Sequence, residues 1–418
     1  MSALYPSADV SSLSQFIGRP LRELPTPCAI LHEPTVRRNC ARLVDVAQRL
    51  DIGLRPHVKT HKTTEVTRLQ LSGLGTGNVI VSTVREAEAL EPLVRDGTVT
   101  DILYGVPLAP SAQSRLLALR SRNPRLTISV MIDHPAQLPA PPTEGGPLSV
   151  FVKLDNGYHR AGLATTSVEL KLLLEAIAAA EKTGAVSLVG FYSHAGHSYS
   201  STSAQESMQL LAVELNTVIS GAQLTAHDEE RQLVLSVGAT PTALSASEIK
   251  GVVANLQQIG GGQWRFELHA GVYTLLDLQQ LATRPAGLGL ADVALTIMVE
   301  VVSVYPDRRE ALVAFGTTAL GREPGGMEGV YPGWGLVTGW KDGESWDGVA
   351  KSGWVVGRIS QEHAILTVEG DGEPMELSVG MKVRVWPQHA CIAGNGHGWY
   401  FVTDGDVVTD VWVRWRGW

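Results

Sequence analysis

Short apolar runs alternate with stretches of helical period over the first two-thirds of the chain. Residues 1–26 precede this rhythm. They are polar, punctuated by Ser and Pro, and end in Pro25-Thr26-Pro27, which reads as an N-terminal arm. Residues 28–31 then form an apolar run, followed by a helical pattern over 34–50. The pairing repeats: strand 53–59 and helix 63–71, strand 79–81 and helix 85–95, strand 102–104 and helix 111–122. Strand 126–132 leads into a Pro- and Gly-rich loop at 139–147. Strand 148–154 precedes helix 167–183, strand 186–192 precedes helix 204–220, strand 233–237 precedes helix 244–256, and 264–268 is the last strand.

Strands separated by helices imply parallel pairing through crossover connections. Roughly eight such units over roughly 250 residues is the expectation for a (β/α)8 barrel. Nine candidate strands compete for eight places, so the first or the last is expected to lie outside the closed barrel. Beyond Arg284 the helical period fades. Runs at 293–304, 310–315, 354–359, 363–368 and 382–386 read as strands with Gly and Asp turns, and nine of the ten tryptophans lie beyond residue 330. The expected fold is therefore α/β: a TIM-like (β/α)8 barrel over 27–283 plus a C-terminal all-β domain over 284–418. The arm is expected to pack on the β-domain, because a barrel starts and ends at neighbouring points.

Composition narrows the function without identifying it. The 418 residues are 44% hydrophobic and 18% charged, as in an ordinary globular protein. A net charge of −8 with no basic stripe argues against a nucleic-acid partner. Cys28, Cys40 and Cys391 have no paired spacing, so no disulfide framework is expected and a reducing, cytoplasmic setting fits. The N-terminus lacks the basic-then-apolar pattern of a secretory signal. No apolar run reaches the roughly 18 residues of a membrane span, and no peroxisomal or retention signal ends the chain.

The catalytic face of such a barrel is the C-terminal ends of its strands. The predicted ends collect His57, Lys59, Ser82, Tyr104, Lys153, Tyr192, His194, Ser236 to Thr240, and His269 to Tyr273. In the stretch from Gly53 to Thr63, strand alternation puts His57, Lys59 and His61 on one face, with Val58 and Thr60 on the other. Lysines are seldom buried without a partner, and desolvation or neighbouring positive charge lowers a lysine's pKa. A neutral, positioned amine is the nucleophile that Schiff-base chemistry needs; a solvated strand end is the plain alternative.

Ser236-Val237-Gly238-Ala239-Thr240-Pro241-Thr242 reads either as a phosphate cradle, with small residues exposing backbone N–H groups, or as a simple turn. Arg160, followed by the small residues Ala161 and Gly162, suits a ligand or a scaffold carboxylate equally. His194 and His197, three apart, suit a metal in principle and a loop packing role as well. His389 and Cys391, two apart on an extended segment, point the same way. Imidazole and thiolate together suit zinc, but two ligands are half a site, and a core cysteine beside a surface histidine is the plain alternative.

Taken together, these segments resemble the fold-type III pyridoxal-phosphate enzymes, whose N-terminal barrel is of the alanine-racemase type. The resemblance is to the eukaryotic-type D-serine dehydratase family, with D-threonine aldolases as near relatives. It is carried, in family order, by the segment from Arg55 to Lys62, the segment from Lys153 to Gly162 (Lys-Leu-Asp-Asn-Gly-Tyr-His-Arg-Ala-Gly), the segment from Ser193 to Tyr199, the segment from Gly238 to Thr242, the segment from Glu267 to Tyr273, and Pro387-Gln388-His389-Ala390-Cys391. The resemblance implies that Lys59 holds pyridoxal 5′-phosphate as a Schiff base and acts as general base at the substrate Cα. It implies that Gly238, Ala239, Thr240 and Tyr273 hold the phosphate, that Arg160 faces the pyridine nitrogen, and that His57, Tyr192 and His194 border the cofactor. It implies that His389 and Cys391 bind a zinc ion that polarises the departing β-hydroxyl. The implied reaction is loss of water from D-serine to give pyruvate and ammonia, in a homodimer.

Aldolases of this group place a carboxylate where Cys391 stands and use a harder metal such as manganese; cysteine favours zinc and hence dehydration. A 3-hydroxy-D-aspartate dehydratase would also carry a His-x-Cys pair, and would need a further cation for the β-carboxylate. Barrel-only pyridoxal-phosphate homeostasis proteins lack a β-domain and are the non-enzyme alternative. Lys62 rivals Lys59 for the Schiff base; strand phase favours Lys59. The run from Gly394 to Gly398 departs from the family pattern and is expected to loosen the site or reshape the substrate pocket.

Overall fold

The computed structural model describes residues 6–141, 146–225, 231–246, 262–284, 287–323, 330–340, 346 and 351–418. Seventeen described strands fall into two sheets. β1 (Cys28–His32) belongs to the second. The first contains β2 (Gly53–Leu54), β3 (Asn78–Val81), β4 (Asp101–Pro107), β5 (Thr127–Ile132), β6 (Leu148–Lys153), β7 (Val186–Tyr192), β8 (Leu233–Val237) and β9 (Trp264–Leu268). All are parallel, in the order β2-β9-β8-β7-β6-β5-β4-β3. Ile80, Leu103, Met131, Phe151, Tyr192 and Val234, one from each of six successive strands, pack into one buried cluster.

Closure of this sheet falls to the residues just after β2. Pro56 lacks an N–H, and regular pairing of β2 stops at Leu54, yet the chain runs on extended. Arg55 and His57 donate their N–H groups to Leu268 and Ala270 O, at 2.9 and 2.8 Å. On the other side Ile80 N–H donates to Pro56 O at 2.9 Å and Val58 N–H to Ile80 O at 3.1 Å. These bonds join β9 to β3 and nearly close an eight-stranded, TIM-like barrel.

The helices lie close to their expected places, with one exception. The pattern over 85–95 is split into Val84–Ala89 and Glu91–Arg95. Pro92 cannot supply the N–H that a continuous helix would give to Glu88 O, and its ring clashes there. The expected helix at 244–256 is described only as Thr240–Ser245; the rest lies outside the described residues.

The second sheet is mainly antiparallel. It holds β1 with β10 (Leu295–Tyr305), β11 (Glu310–Val313), β12 (Gly335–Thr338), β13 (Trp354–Ile359), β14 (Ala364–Val368), β15 (Lys382–Pro387), β16 (Trp399–Thr403) and β17 (Val408–Val413). β1 pairs antiparallel with β10 (Ala29 opposite Ile297) and parallel with β16 (Ile30 opposite Phe401). The arm lies on this sheet: Gly18 N–H and Val408 O meet at 2.8 Å, and Val408 N–H and Arg19 O at 3.0 Å.

The boundaries therefore differ from those expected at 27 and 283. One compact unit comprises Ala41–Lys59 and Gln70–Gly271, with Trp418; the other comprises Met1–Cys40, Thr60–Leu69 and Val272–Gly417. Of the nine strand candidates it is the first that lies outside the barrel. Every residue of β1 is buried, and an apolar run of five carries no sign of which sheet will bury it. Among the described residues no helix is long and apolar enough to cross a membrane.

A buried ion network crosses the barrel interior. The Arg55 guanidinium, 1% exposed, sits 2.9 Å from Glu267 Oε1 and 3.0 Å from Asp101 Oδ1. The Ser236 and Ser129 hydroxyls donate to Glu267 and Asp101. Burial works against charge on Arg55, but the two carboxylates outweigh it and raise its pKa further. Removing one member of such a network strands a buried charge. Arg55→Met is expected to lower stability by about 3–5 kcal/mol in urea unfolding, with partial recovery in the double variant that adds Glu267→Gln. A loss under about 1 kcal/mol, the range of a solvated pair, would contradict this.

Candidate active site

At the C-terminal ends of the barrel strands lies a cavity of about 330 Å³. Its lining includes His57, Lys59, Ser82, Lys153, Arg160, Tyr192, His194, Ala239 and His269. Lys59 is delivered there by the segment that closes the barrel. The strand phase holds as far as this residue and then fails. Residues 59–61 turn, and Lys62 has φ +51°. His61 is buried elsewhere, with its Nδ1 near the Thr63 hydroxyl at 3.3 Å. Neither His61 nor Lys62 lines the cavity.

Each imidazole at the mouth is held in one tautomer by its partner. Lys59 N–H donates to His57 Nδ1 at 3.2 Å, so the ring proton sits on Nε2, facing Ser82 Oγ at 3.1 Å. His194 Nδ1 donates to Gly238 O at 2.7 Å. Ser236 Oγ spends its proton on Glu267 Oε1, so His269 Nδ1 donates to Ser236 Oγ at 3.0 Å. The Nε2 atoms of His194 and His269 are therefore bare acceptors, and both are buried without a hydrogen-bond partner among the described residues. Burial pushes both imidazoles well below the usual range. Arg160, Lys59 and Lys153 add to this at His194, and His194 and Lys153 at His269. Tyr192 stacks on His269 with ring centroids 4.0 Å apart.

Lys153 closes β6 inside this cavity. Its Nζ donates to Leu154 O at 3.3 Å and stands 5.0 Å from the Tyr192 ring centre. Burial, reinforced by the Arg160 charge, pushes its amine down to about 7. Arg160 is exposed, with its guanidinium 5.5 Å from the Tyr158 ring centre. His197 lies against the same tyrosine, 5.7 Å between centroids. His194 and His197 thus face different partners.

The turn after β8 has a backbone that glycine alone accommodates. Gly238 has φ +139°, and a Cβ there would lie 2.3 Å from His269 O. Ala239 lines the cavity, and Thr240 Oγ1 is buried with no partner among the described residues. Behind the turn lies Glu214, fully buried, whose carboxylate accepts from Ala195 and Gly238 N–H. Burial pushes Glu214 up to about 7, against those hydrogen bonds and the Lys153 charge. Tyr273 is buried in the one-turn helix Val272–Thr274, directly after Ala270 and Gly271 of the cavity lining.

These groups fit pyridoxal phosphate: a primary amine at the mouth, a close backbone approach at Gly238, an unpartnered Thr240 hydroxyl and two bare imidazole nitrogens.

In the other unit His389 caps the helix Ala390–Asn395, which bears Cys391. His389 Nδ1 is buried without a hydrogen-bond partner among the described residues and lies 3.8 Å from Glu323. Cys391 Sγ is 3.1 Å from Thr60 Oγ1. Burial opposes charge on His389, but the hydrogen bond to Cys391 and the charges of Cys391, Asp277 and Glu323 outweigh it and push the imidazole up to about 9. An imidazole and a thiol in so negative a setting fit a soft divalent cation. Among the described residues no third His, Cys, Asp or Glu joins them as a ligand group.

The run from Gly394 to Gly398 is held at Gly394 and Gly396, while Gly398 has space around it. Gly394 O accepts from Arg414 Nη1, whose Nε and Nη2 reach His61 O and Thr60 O at 3.1 and 3.3 Å. A Cβ on Gly396 would meet Thr318 O at 2.2 Å.

Comparison with known proteins agrees with this geometry. Residues 32–261 match the alanine racemase N-terminal domain, and 294–403 match the serine dehydratase domain. The chain is 36% identical to a D-serine dehydratase of Schizosaccharomyces pombe, over 97% of this chain and 94% of that one. It is 34% identical to the D-serine dehydratase of Saccharomyces cerevisiae, over 97% and 99%. A solved D-threo-3-hydroxyaspartate dehydratase, a cysteine-to-alanine mutant in the metal-free form, superposes with TM-score 0.77 at 28% identity, covering 96% of this chain and 100% of that one.

Barrel and cavity define an enzyme of the alanine-racemase-like class that uses pyridoxal phosphate. Within that class the chain belongs to the D-serine dehydratase family of lyases.

Lys153, His269, Ser82 and Glu214 gained no role from the sequence. The first three stand at strand ends, which was the available signal. Glu214 gave none, since its partners are backbone N–H groups 19 and 24 residues away.

Lys153 should leave a pH signature. With its amine at about 7 against an ordinary 10.5, the unfolded state binds the extra proton between these values. Stability contributed through Lys153 is lowest below pH 7 and rises as pH climbs toward 10. Urea midpoints of the wild type relative to Lys153→Met should therefore increase across that window. A pH-independent difference would show that Lys153 is solvated.

Proposed function

We propose that this chain removes water from D-serine, and that the released aminoacrylate takes water back on hydrolysis to pyruvate and ammonia. The observation that carries the reading is Lys59 opening into a cavity whose other walls include Lys153, Arg160, Tyr192, His194, Ala239 and His269. Lys59 holds pyridoxal phosphate through its amine. Gly238, Ala239, Thr240 and Tyr273 receive the phosphate, Arg160 faces the pyridine nitrogen, and His57, Tyr192 and His194 border the ring. His389 and Cys391 hold zinc, in keeping with a related dehydratase whose cysteine-to-alanine mutant is described as metal-free. When bound, the cofactor accepts the electron pair left at Cα and the zinc acts as Lewis acid toward the departing hydroxyl.

The chain's own residues do the rest. The Lys59 amine, released when the substrate amine takes its place, removes the Cα proton. His57 steadies the Lys59 backbone through Nδ1. The neutral rings of His194 and His269 add no positive charge beside the reacting centre. Arg160, as a cation beside the pyridine nitrogen, would hold that nitrogen unprotonated. The active form is a homodimer, and three cysteines that form no disulfide suit a reducing cytoplasm.

The test is release of pyruvate and ammonia from D-serine by the purified protein, with and without a chelator. The expected result is a visible cofactor band, activity that chelation abolishes and zinc restores, and loss of borohydride-fixable cofactor in Lys59→Ala. Activity on 3-hydroxy-D-aspartate or D-threonine alone would keep the cofactor and overturn the substrate. Fixed cofactor in Lys59→Ala would overturn the lysine.

A further inference from the structure

One buried titratable group that the reaction does not use touches both loops at the cavity's edge. Glu214 projects from the helix Ala204–Gln223 and is fully buried. Its Oε1 accepts the N–H of Ala195 at 2.7 Å and of Gly238 at 3.1 Å, and its Oε2 meets Thr242 Oγ1 at 3.3 Å. Ala195 directly follows His194, and Gly238 opens the turn after β8. Gly238 also accepts from His194 Nδ1 through its carbonyl, at 2.7 Å. The two loops are therefore tied twice, once through the carboxylate and once directly.

This arrangement leaves the turn little freedom. Both polar backbone groups of Gly238 are committed, and Ala239 N–H donates to Thr242 Oγ1 at 2.8 Å. No side chain fits at Gly238, where a Cβ would meet His269 O at 2.3 Å. The group left over is Thr240 Oγ1, buried and without a partner among the described residues. A carboxylate is costly to bury. An acceptor oxygen shared by N–H groups from two separate loops holds both loops to one geometry.

We propose that Glu214 is a positioning residue: it sets the Gly238–Thr240 turn for the cofactor's phosphate and, through Gly238, the ring of His194. The inference rests on the reading of the cavity as a pyridoxal-phosphate site.

The experiment compares pyridoxal 5′-phosphate with pyridoxal, which lacks the phosphate, in equilibrium titrations of the cofactor-stripped full chain followed by the visible band. Wild type is expected to prefer the phosphorylated form strongly. Glu214→Ala should reduce that preference by about 10- to 100-fold, through weaker phosphate-form binding with pyridoxal binding unchanged. Glu214→Gln, which keeps an acceptor oxygen for both N–H groups, should stay within about threefold of wild type. If Glu214→Ala does not fold, Glu214→Asp, which withdraws the carboxylate by one methylene, is read the same way. Equal weakening of both ligands, or an unchanged preference, would overturn the positioning role. A wild type that binds neither compound would overturn the cavity's assignment and this inference with it.

Discussion

The barrel depends on a short length of backbone that is barely a strand. The segment from Leu54 to Val58 bonds to Leu268 and Ala270 on one side and to Ile80 on the other. Without those bonds β9 and β3 would be open edges, each a row of unpaired N–H and C=O groups. Closure and chemistry share this segment. The carbonyl of Pro56 and the N–H groups of His57 and Val58 spend their hydrogen bonds on the barrel, and the next residue is Lys59, which the cavity receives. The segment is pinned further by Arg55, whose guanidinium is locked to Glu267 and Asp101 inside the barrel. The Lys59 amine thus follows directly on a rigid piece of the scaffold, as a pre-organised site would require.

Electrostatics at the mouth follow from the same economy of partners. Lys59, Lys153 and Arg160 line one cavity, and the two imidazoles among them stay neutral because a further buried positive charge would be unfavourable. Their tautomers are set from behind by Gly238 O and Ser236 Oγ, so the nitrogens left over are acceptors. Glu267, and Glu214 when ionised, supply the buried negative charge, each through hydrogen bonds to groups that shape the mouth. The site is an array of fixed dipoles and charges whose free valences belong to whatever the cavity binds.

Much of this was legible along the chain. The alternation of apolar runs and helical stretches announced parallel strands, because crossover helices and buried strands impose those two periods. The residues Lys59, Tyr192, His194 and Ala239 near strand ends, and Arg160 from the loop after β6, do meet in one cavity. Local rules misled where a residue's fate was set by a distant partner. β1 has the composition of a barrel strand, but pairs with residues more than 260 positions away. His61 has the right phase to join His57 and Lys59, but the turn at Lys62 carries it elsewhere. The Gly-rich run after Cys391 looks like slack, but Tyr400 crowds Gly394 and the carbonyl of Thr318 crowds Gly396.

The sequence by itself determined the class of fold, the family and most of the residues at the mouth, because those follow from periodicity and from the chemistry of side chains at strand ends. Tertiary structure alone decided which strand left the barrel and which lysine was buried deeply enough to lose its charge near neutrality. It also decided which carboxylate, fourteen residues beyond Ser200 on an outer helix, came to hold the loops together. The physical reason is common to all three. Burial and hydrogen-bond partners are properties of space rather than of sequence neighbours, and a buried charge declares its role only when the groups that balance it are in place.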